Sequence, residues 1–356
     1  MKIINFAIIG CGRIAKRHSE LLGLNQIPFA RLCAVCDIKL ERAESIGRAM
    51  NVSFYTDMHE MMGAEEIDVV VVLTESGLHS DHVLAIAKYG KHIVVEKPMA
   101  LSLADADKMI LACDQAGIKL FVVKQNRFNK PVLKLREALE SGRFGKIVMG
   151  TVRVRWSRPQ SYYDQDEWRG TWAFDGGVLA NQASHHIDLL EWMLGQPVSV
   201  YAMAKTALVN IEAEDTAIAL LRFENGAFGV IEATTAVRPK DLEGSISILG
   251  EGGSVVIEGF AVNEMKTWNF VKPSPNDGEV IEKYSVNPPN IYGFGHKAYY
   301  EHVVDCIMNN KQQLVDGLEG RKSLELISAI YESIETRKEV SLRFESKYCR
   351  LGRSYE

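Results

Sequence analysis

At 356 residues the chain is too long for a single small module and has room for two domains. Its 41 basic and 46 acidic residues give a formal charge of -5, with no Lys/Arg run to track a phosphate backbone, so nucleic acid is excluded as an expected partner. Hydrophobic residues at 47% and charged residues at 24% suit a soluble globular protein, and no apolar stretch reaches the ~18 residues a membrane span needs, so a cytoplasmic location is expected.

The opening run from Met1 to Ile9 carries no cleavable small-residue site and reads as a first strand, not a leader. Six cysteines are scattered at 11, 33, 36, 113, 306 and 349, as expected of reduced, packed thiols. Cys33 and Cys36 form a C-x-x-C inside a predicted strand, where residues three apart face opposite sides. Neither a disulfide nor a metal is expected there, and no metal site is expected elsewhere.

Strand Asn5 to Ile9 runs into Gly10-Cys11-Gly12-Arg13-Ile14-Ala15 and then a helix to about Leu22, which is G-x-G-x-x-A in strand-turn-helix context. Gly10 allows the tight turn, Gly12 lets backbone approach a pyrophosphate, and Ala15 lets the helix pack close. Gly10, Gly12, Arg13 and Ile14 are therefore candidate cofactor contacts. A second strand, Ala30 to Cys36, ends in Asp37. Its carboxylate would accept from both ribose hydroxyls and repel a 2′-phosphate, which favours NAD, with Lys39 nearby keeping NADP open. The alternative role for Asp37 is to cap the next helix.

After a helix at 40–50, a short strand near Ser53 and a helix near Met58, the run Asp68 to Leu73 is nearly all β-branched and reads as the central strand. It ends in the polar loop from Thr74 to His79, expected over the nicotinamide-side ribose, with Thr74, Ser76 and His79 as candidate contacts. His79 reads more as a helix-start residue than as a base. The strand His92 to Val95 then ends in Glu96-Lys97-Pro98. Lys97 lies just past the carboxyl end of a buried parallel strand, where open α/β sheets bind ligands, and Pro98 keeps it out of the α region. It is either a lysine fixed to act on a substrate or an ordinary solvated one. A helix at 103–115 and a sixth strand at 119–123 lead to Lys124-Gln125-Asn126-Arg127, a polar cluster at the same sheet end. Strand-helix alternation over residues 1–125 predicts an α/β, doubly wound sheet.

Longer strands dominate residues 126–356. After a helix at 130–139, runs at 146–156, 198–205, 216–223, 228–234, 244–249 and 254–258 predict a large open, mostly antiparallel sheet, with Glu224-Asn225-Gly226 as a type I′ hairpin turn. Helices can cover one face. The apolar remainder, such as Ala217-Ile218-Ala219-Leu220-Leu221, suggests a subunit interface and hence a homo-oligomer, a dimer or tetramer. Gly293-Phe294-Gly295-His296 precedes a helix at 299–308, and an amphipathic helix at 320–335 is expected to pack across both domains.

A helix starting after Gly176-Gly177 would place Asn181, His185 and Asp188 on one face and His186 elsewhere. Polar groups at i-4 and i+3 make His185 as good a candidate for a base as for a core histidine. The loop from Trp156 to Trp172 is dense in aromatic residues and arginine, with Arg158, Gln160, Tyr163 and Arg169 as candidate binders. Its rings would stack a base and its guanidinium groups fork onto phosphate or carboxylate, unless it is a rigid loop pinned by tryptophans.

Taken together, Gly10-x-Gly12-x-x-Ala15, Glu96-Lys97-Pro98, and Gly176-Gly177 followed by His185 and Asp188 resemble the Gfo/Idh/MocA oxidoreductase family over essentially the whole chain. The resemblance implies an N-terminal Rossmann domain and a C-terminal α/β domain whose open sheet makes oligomer contacts. It implies NAD(P)-dependent oxidation of a carbinol on a sugar or cyclitol, with Lys97 and His185 as the active-site pair and Glu96, Lys97 and Gln125 also touching the cofactor. The family usually has an aspartate where this chain has Asn181. The runs Phe121 to Arg127, Arg158-Pro159-Gln160 with Tyr162-Tyr163, Trp168 to Trp172, Asn181 to His185 and Asn210-Ile211-Glu212 are similar to one branch, the UDP-N-acetyl-2-amino-2-deoxyglucuronate 3-dehydrogenases, in which Asn181 belongs to the pattern. That similarity implies oxidation of UDP-N-acetylglucosaminuronic acid at C3 by NAD, for 2,3-diamino-2,3-dideoxyuronic acids of bacterial surface polysaccharide. It places Lys97, Asn126, Arg127, Arg158, Gln160, Tyr163, Arg169, Asn181 and His185 on the substrate, with His185 as base and Lys97 orienting the hydroxyl, or the reverse. The alternatives are another sugar or cyclitol dehydrogenase and a non-catalytic NAD/sugar sensor.

Overall fold

Short runs of β-branched and apolar residues build the first sheet in the computed structural model, which describes residues 2–259, 261–285 and 293–354. Strands β1 (Ile4–Ile9), β2 (Ala30–Cys36), β3 (Ser53–Tyr55), β4 (Val69–Val72), β5 (His92–Val95) and β6 (Leu120–Val122) are joined by helices α1 (Ala15–Gly23), α2 (Leu40–Met50), α3 (Met58–Ala64), α4 (His79–Ala87) and α5 (Leu103–Gln115). All pair in parallel, in the order β3-β2-β1-β4-β5-β6. The order reverses between β1 and β4, the switch point where such sheets bind ligands.

The register makes the carboxyl ends level. Ile9 pairs with Cys36 on one side and Val72 on the other, Val72 with Val95, and Val95 with Val122. Asp37, Gly10, Thr74 and the Glu96-Lys97 pair therefore emerge from one rim. The valines of β4 have no exposed surface, which explains a strand with no polar alternation.

The second half starts with α6 (Lys130–Glu140), β7 (Ile147–Arg155), the short α7 (Gln160–Tyr163) and α8 (Ser184–Leu194). Then come β8 (Pro197–Lys205), β9 (Thr216–Phe223), β10 (Phe228–Thr234), β11 (Glu243–Gly250), β12 (Gly253–Glu258), β13 (Glu264–Phe270) and α9 (Val280–Lys283). Helices α10 (Gly295–Met308) and α11 (Gly317–Thr336) and the two-residue β14 (Val340–Ser341) close the chain. The eight strands form one sheet, β13-β12-β11-β7-β10-β9-β8-β14, antiparallel except for the β7–β10 pair. The parallel pair, β13 and β14 were not anticipated. Gly150 on β7 lets α8 lie close to this sheet, since a Cβ there would stand 2.8 Å from a methyl of Leu194.

The chain divides into two compact units, Met1–Lys124 with His296–Arg321, and Gln125–Gly295 with Lys322–Glu356. Within the first, the Val122 N–H donates to the Val315 carbonyl at 3.2 Å, and Phe6 packs edge-on to Tyr300 of α10.

The hairpin at Glu224-Asn225-Gly226 is not type I′. Gly226 has φ +82°, whereas Asn225 is absent from the positive-φ residues, and the Gly226 N–H donates to the Phe223 carbonyl. This is a type I turn followed by a left-handed glycine, as in three-residue hairpin loops. Asn225 favours it by donating to the Leu194 carbonyl and accepting from the Ala227 N–H. All six cysteines are free thiols, and among the described residues no helix is long and apolar enough to cross a membrane.

Candidate active site

In the first unit the fingerprint turn fits a dinucleotide. Gly10 has φ +92°, and a Cβ there would stand 2.7 Å from the Leu73 carbonyl carbon, so the turn between β1 and α1 admits only glycine. A Cβ at Gly12 would meet nothing within 4 Å, which leaves its backbone open to an approaching group. Helix α1 has no side-chain N-cap and no acid in its first turn. The positive end of its dipole suits a pyrophosphate. Asp37 ties the two strand ends together, accepting the Cys11 N–H at 2.7 Å on Oδ2 and the Lys39 N–H at 2.9 Å on Oδ1. Each oxygen keeps a lone pair for a ribose hydroxyl. Arg13 is exposed and Ile14 half-buried at the helix start.

The loop after β4 is half-buried at Thr74 and Ser76, and the Thr74 hydroxyl pairs with His82 Nδ1 at 3.1 Å. His79 does open α4, as a helix-start residue should, but its ring is buried between the Pro98 and Thr74 carbonyls at 2.8 and 3.1 Å. Burial lowers its pKa below the usual histidine range. This histidine braces the loop. At the end of β5, Glu96 is buried and its Oε2 accepts the Lys97 N–H at 2.7 Å. Burial alone would raise its pKa, but the hydrogen bond from His18 and the nearby His296 ring, 3.9 Å away, outweigh that and hold it well below the usual carboxylate range. Lys97 is half-buried, and its bond to Pro98 is cis.

In the second unit a buried acid builds the turn before α8. Gly176 has φ +78°, and a Cβ on Gly177 would fall 2.2 Å from the Glu214 carbonyl oxygen. The Glu214 carbonyl accepts the Val178 N–H at 2.9 Å, and its Oε1 accepts the Leu179 N–H and the Tyr331 hydroxyl, both at 2.9 Å. Burial raises this carboxyl to about 7. Sequence reasoning missed Glu214, whose partners are remote in the chain.

The helix expected straight after the glycines begins only at Ser184. Asn181 therefore does not share a helical face with His185; its amide donates to Asp175 Oδ1, while Asp175 Oδ2 accepts the Gly170 N–H. His185, in the first turn of α8, is half-buried, with Nε2 3.0 Å from the amide of Gln125. Its neighbour His186 is 1% exposed, packs against Trp156, and is lowered to about 4 by burial. The two histidines thus differ as their helical positions require. Asp188 is turned to Arg127, which donates from Nε and Nη2 at 2.8 Å each; both residues are buried. Asn126 is buried beside them in the 3₁₀ turn Gln125–Phe128.

The arginine-rich loop is knitted to its own surroundings. Arg158 pairs with Asp241 at 2.9 Å, and Gln160 donates to Asp164 and accepts the Asn210 N–H. The buried Tyr163 meets the Thr235 hydroxyl at 3.1 Å. Arg169 pairs with Asp166 and donates to the Tyr162 hydroxyl, lying over the Trp168 ring. These contacts preorganise cations and rings in a single loop.

Two sequence models match the chain. One, for the oxidoreductase family's NAD-binding Rossmann fold, covers residues 4–124, and the other, for the family's C-terminal α/β domain, covers 136–342. The chain belongs to the Gfo/Idh/MocA oxidoreductase family. As a member it is an NAD-dependent oxidoreductase, and the glycine turn and Asp37 fit that cofactor. It is 30% identical over 354 residues to the myo-inositol 2-dehydrogenase of Thermotoga maritima, covering 95% of this chain and 98% of that protein. Among solved structures it is similar to the WlbA dehydrogenase of Bordetella pertussis in complex with NADH and UDP-GlcNAcA, at 42% identity and TM-score 0.92 over 97% of this chain and 99% of that one. The Chromobacterium violaceum WlbA dehydrogenase, with the same two ligands, matches at 41% identity and TM-score 0.91 over 97% of each chain.

Proposed function

We propose that this protein uses NAD to oxidise the C3 hydroxyl of UDP-N-acetylglucosaminuronic acid to the 3-keto sugar, in making 2,3-diamino-2,3-dideoxyuronic acids for bacterial surface polysaccharide in the cytoplasm. The observation that carries this reading is full-length similarity, at 42% identity, to a dehydrogenase whose structure holds NADH and UDP-GlcNAcA. The 1–125 segment is read as the cofactor domain and 126–356 as the substrate and oligomer domain.

NAD supplies the hydride acceptor. The backbone of the glycine turn and Asp37 would hold it, and Lys97 donates to the reacting hydroxyl, so that the negative charge developing on oxygen meets a fixed cation. His185 takes the hydroxyl proton. For that, the base lone pair belongs on Nδ1, and the Nε2–H should donate to the Gln125 side chain. Gln125 Oε1, buried and with no hydrogen-bond partner among the described residues, supplies the acceptor after a half-turn of the amide. Asn126, Asn181 and the Arg158, Gln160, Tyr163 and Arg169 loop bind the nucleotide sugar. The reading also includes a homo-oligomer, for which the exposed face of β8 and β9 is the support: Ile218 pairs with Met203 and Leu220 with Tyr201, four exposed apolar side chains on one face.

The test is an absorbance trace at the reduced-nicotinamide band after mixing stoichiometric protein, NAD and UDP-N-acetylglucosaminuronic acid, repeated with a 3-aminotransferase and glutamate to remove the ketone. NADH should form with this sugar acid and not with UDP-N-acetylglucosamine. No NADH in either format, from protein shown to bind NAD, rejects the substrate.

A further inference from the structure

Three groups converge behind the carboxylate that adjoins Lys97. Glu96 Oε1 lies 3.3 Å from His18 Nε2 and 3.9 Å from His296 Nε2, while Oε2 accepts the Lys97 N–H. On the other side of the His18 ring, Nδ1 lies 2.5 Å from the Tyr300 hydroxyl. His18, His296 and Tyr300 have 0% exposure and Glu96 has 7%, so bulk water does not serve these groups. The order of protons follows from what each atom can do. A carboxylate only accepts, so His18 Nε2 carries its proton toward Glu96; Nδ1 is then an acceptor, and the Tyr300 O–H donates to it. The His18 ring is wedged edge-on against both His296 and Tyr300, with centroids 5.2 and 5.5 Å away. A directed chain thus runs from α10 through α1, the helix that opens at the glycine turn, to the strand end bearing Lys97.

We propose that Tyr300, His18 and His296 are positioning residues that hold the Glu96 carboxylate, and through it the Lys97 main chain, in the geometry the reaction needs. The inference rests on Lys97 acting on the substrate as read above. It predicts a split between turnover and binding. The glycine turn and Asp37 stay in place without the chain, so cofactor affinity is spared, whereas a displaced lysine costs rate.

The experiment compares His18→Leu, His18→Gln and Tyr300→Phe with the unaltered protein. Glutamine places an N–H near the position of His18 Nε2, and leucine cannot. His18→Leu should lose kcat by on the order of 10- to 100-fold, as displaced catalytic groups do. Its NAD affinity and sugar KM should stay within about twofold, and His18→Gln should regain most of the lost kcat. Tyr300→Phe removes a single oxygen and should lower kcat less, so it carries the test if His18→Leu does not fold. Amide hydrogen exchange of the peptide spanning Lys97 gives a second readout that needs no turnover. Faster exchange there in His18→Leu and Tyr300→Phe, reversed in His18→Gln, with the Lys97 N–H resolved by residue, reports Lys97 even if the nucleotide sugar proves not to be the substrate. Unchanged kcat and exchange in both Tyr300→Phe and His18→Leu overturn the proposal. So does a stoichiometric metal in the purified protein whose removal reproduces the variants, because the donor atoms of His18, Glu96 and His296 also lie within 4.8 Å of one another.

Discussion

The side-chain amide of Gln125 stands 3.0 Å from His185 Nε2, joining the 3₁₀ turn after β6 to the first turn of α8. In the proposed oxidation this contact would decide which ring nitrogen serves as base. If Oε1 accepts from Nε2–H during turnover, a carboxylate at 125 does the same more strongly. Gln125→Glu should remain active, with the acid limb of its kcat/KM profile moved to higher pH by about one unit, because a nearby negative charge favours the protonated imidazole. Gln125→Leu should lose rate without that shift. A Gln125→Glu profile identical to that of the unaltered protein would remove Gln125 from the proton path.

Lys97 and His185 have separable roles in the proposed oxidation. Lys97→Ala and His185→Asn should each lower NADH formation by at least about 100-fold, the lower end for losing a positioned acid or base. Binding of the nucleotide sugar, followed by calorimetry, should persist in both. A variant that turns over at the normal rate marks its residue as structural.

Asp37 holds the glycine turn through the Cys11 N–H, and in the proposed reading it also offers oxygens to a ribose. Asp37→Ser should therefore do two things at once: raise the KM for NAD by about tenfold, the worth of a lost charged hydrogen bond of ~1.5 kcal/mol, and narrow the preference over NADP by removing the negative charge. Steady-state kinetics with both cofactors checks it.

Much of the first sheet could be read directly because each signal there is local. Four consecutive valines in β4 admit few readings other than a buried strand, and Gly10 sits where only a glycine avoids Leu73. The end of β5 was visible for the same reason, since an apolar run stops at Glu96. What lay beyond reading depends on remote partners. His18 is 78 residues from Glu96 and 282 from Tyr300, so nothing near His18 marks it as part of that chain. The start of α8 was misplaced because Asn181 and Asp175 tie the preceding turn together and hold it out of the helix. Gln125, expected on the cofactor side, has its amide at His185, a pairing between segments 60 residues apart.

Arg127 and Asp188 form a buried ion pair, 2% exposed at either side chain, with the guanidinium also 4.9 Å from the Trp192 ring. Removing one partner strands the other charge in the interior. Arg127→Ala should destabilise the protein by about 3–5 kcal/mol, and adding Asp188→Asn should recover part of that loss because the amide needs no counter-charge. Urea midpoints for the two variants measure it. A double variant less stable than Arg127→Ala would show that the pair is not the dominant interaction of either residue.

Glu214 makes stability depend on pH with a sign opposite to that of most carboxylates. Its folded-state pKa is raised from 4.5 to about 7, chiefly by burial, so the folded protein holds a proton that the unfolded chain releases. The resulting contribution is fully present below the unfolded value near pH 4.5 and is lost as pH rises through about 7. A shift of that size corresponds to roughly 3 kcal/mol at pH 8. Glu214→Gln keeps an oxygen for the Leu179 N–H and the Tyr331 hydroxyl but cannot ionise, so unfolding free energies measured from pH 5 to 8 should fall more steeply in the unaltered protein than in this variant. Parallel profiles would mean that Glu214 titrates as an ordinary acid. The same ionisation should loosen the Gly177 turn ahead of His185, so amide exchange at Val178 and Leu179 should rise over the same pH window in the unaltered protein, after correction for the intrinsic pH dependence, and stay level in Glu214→Gln.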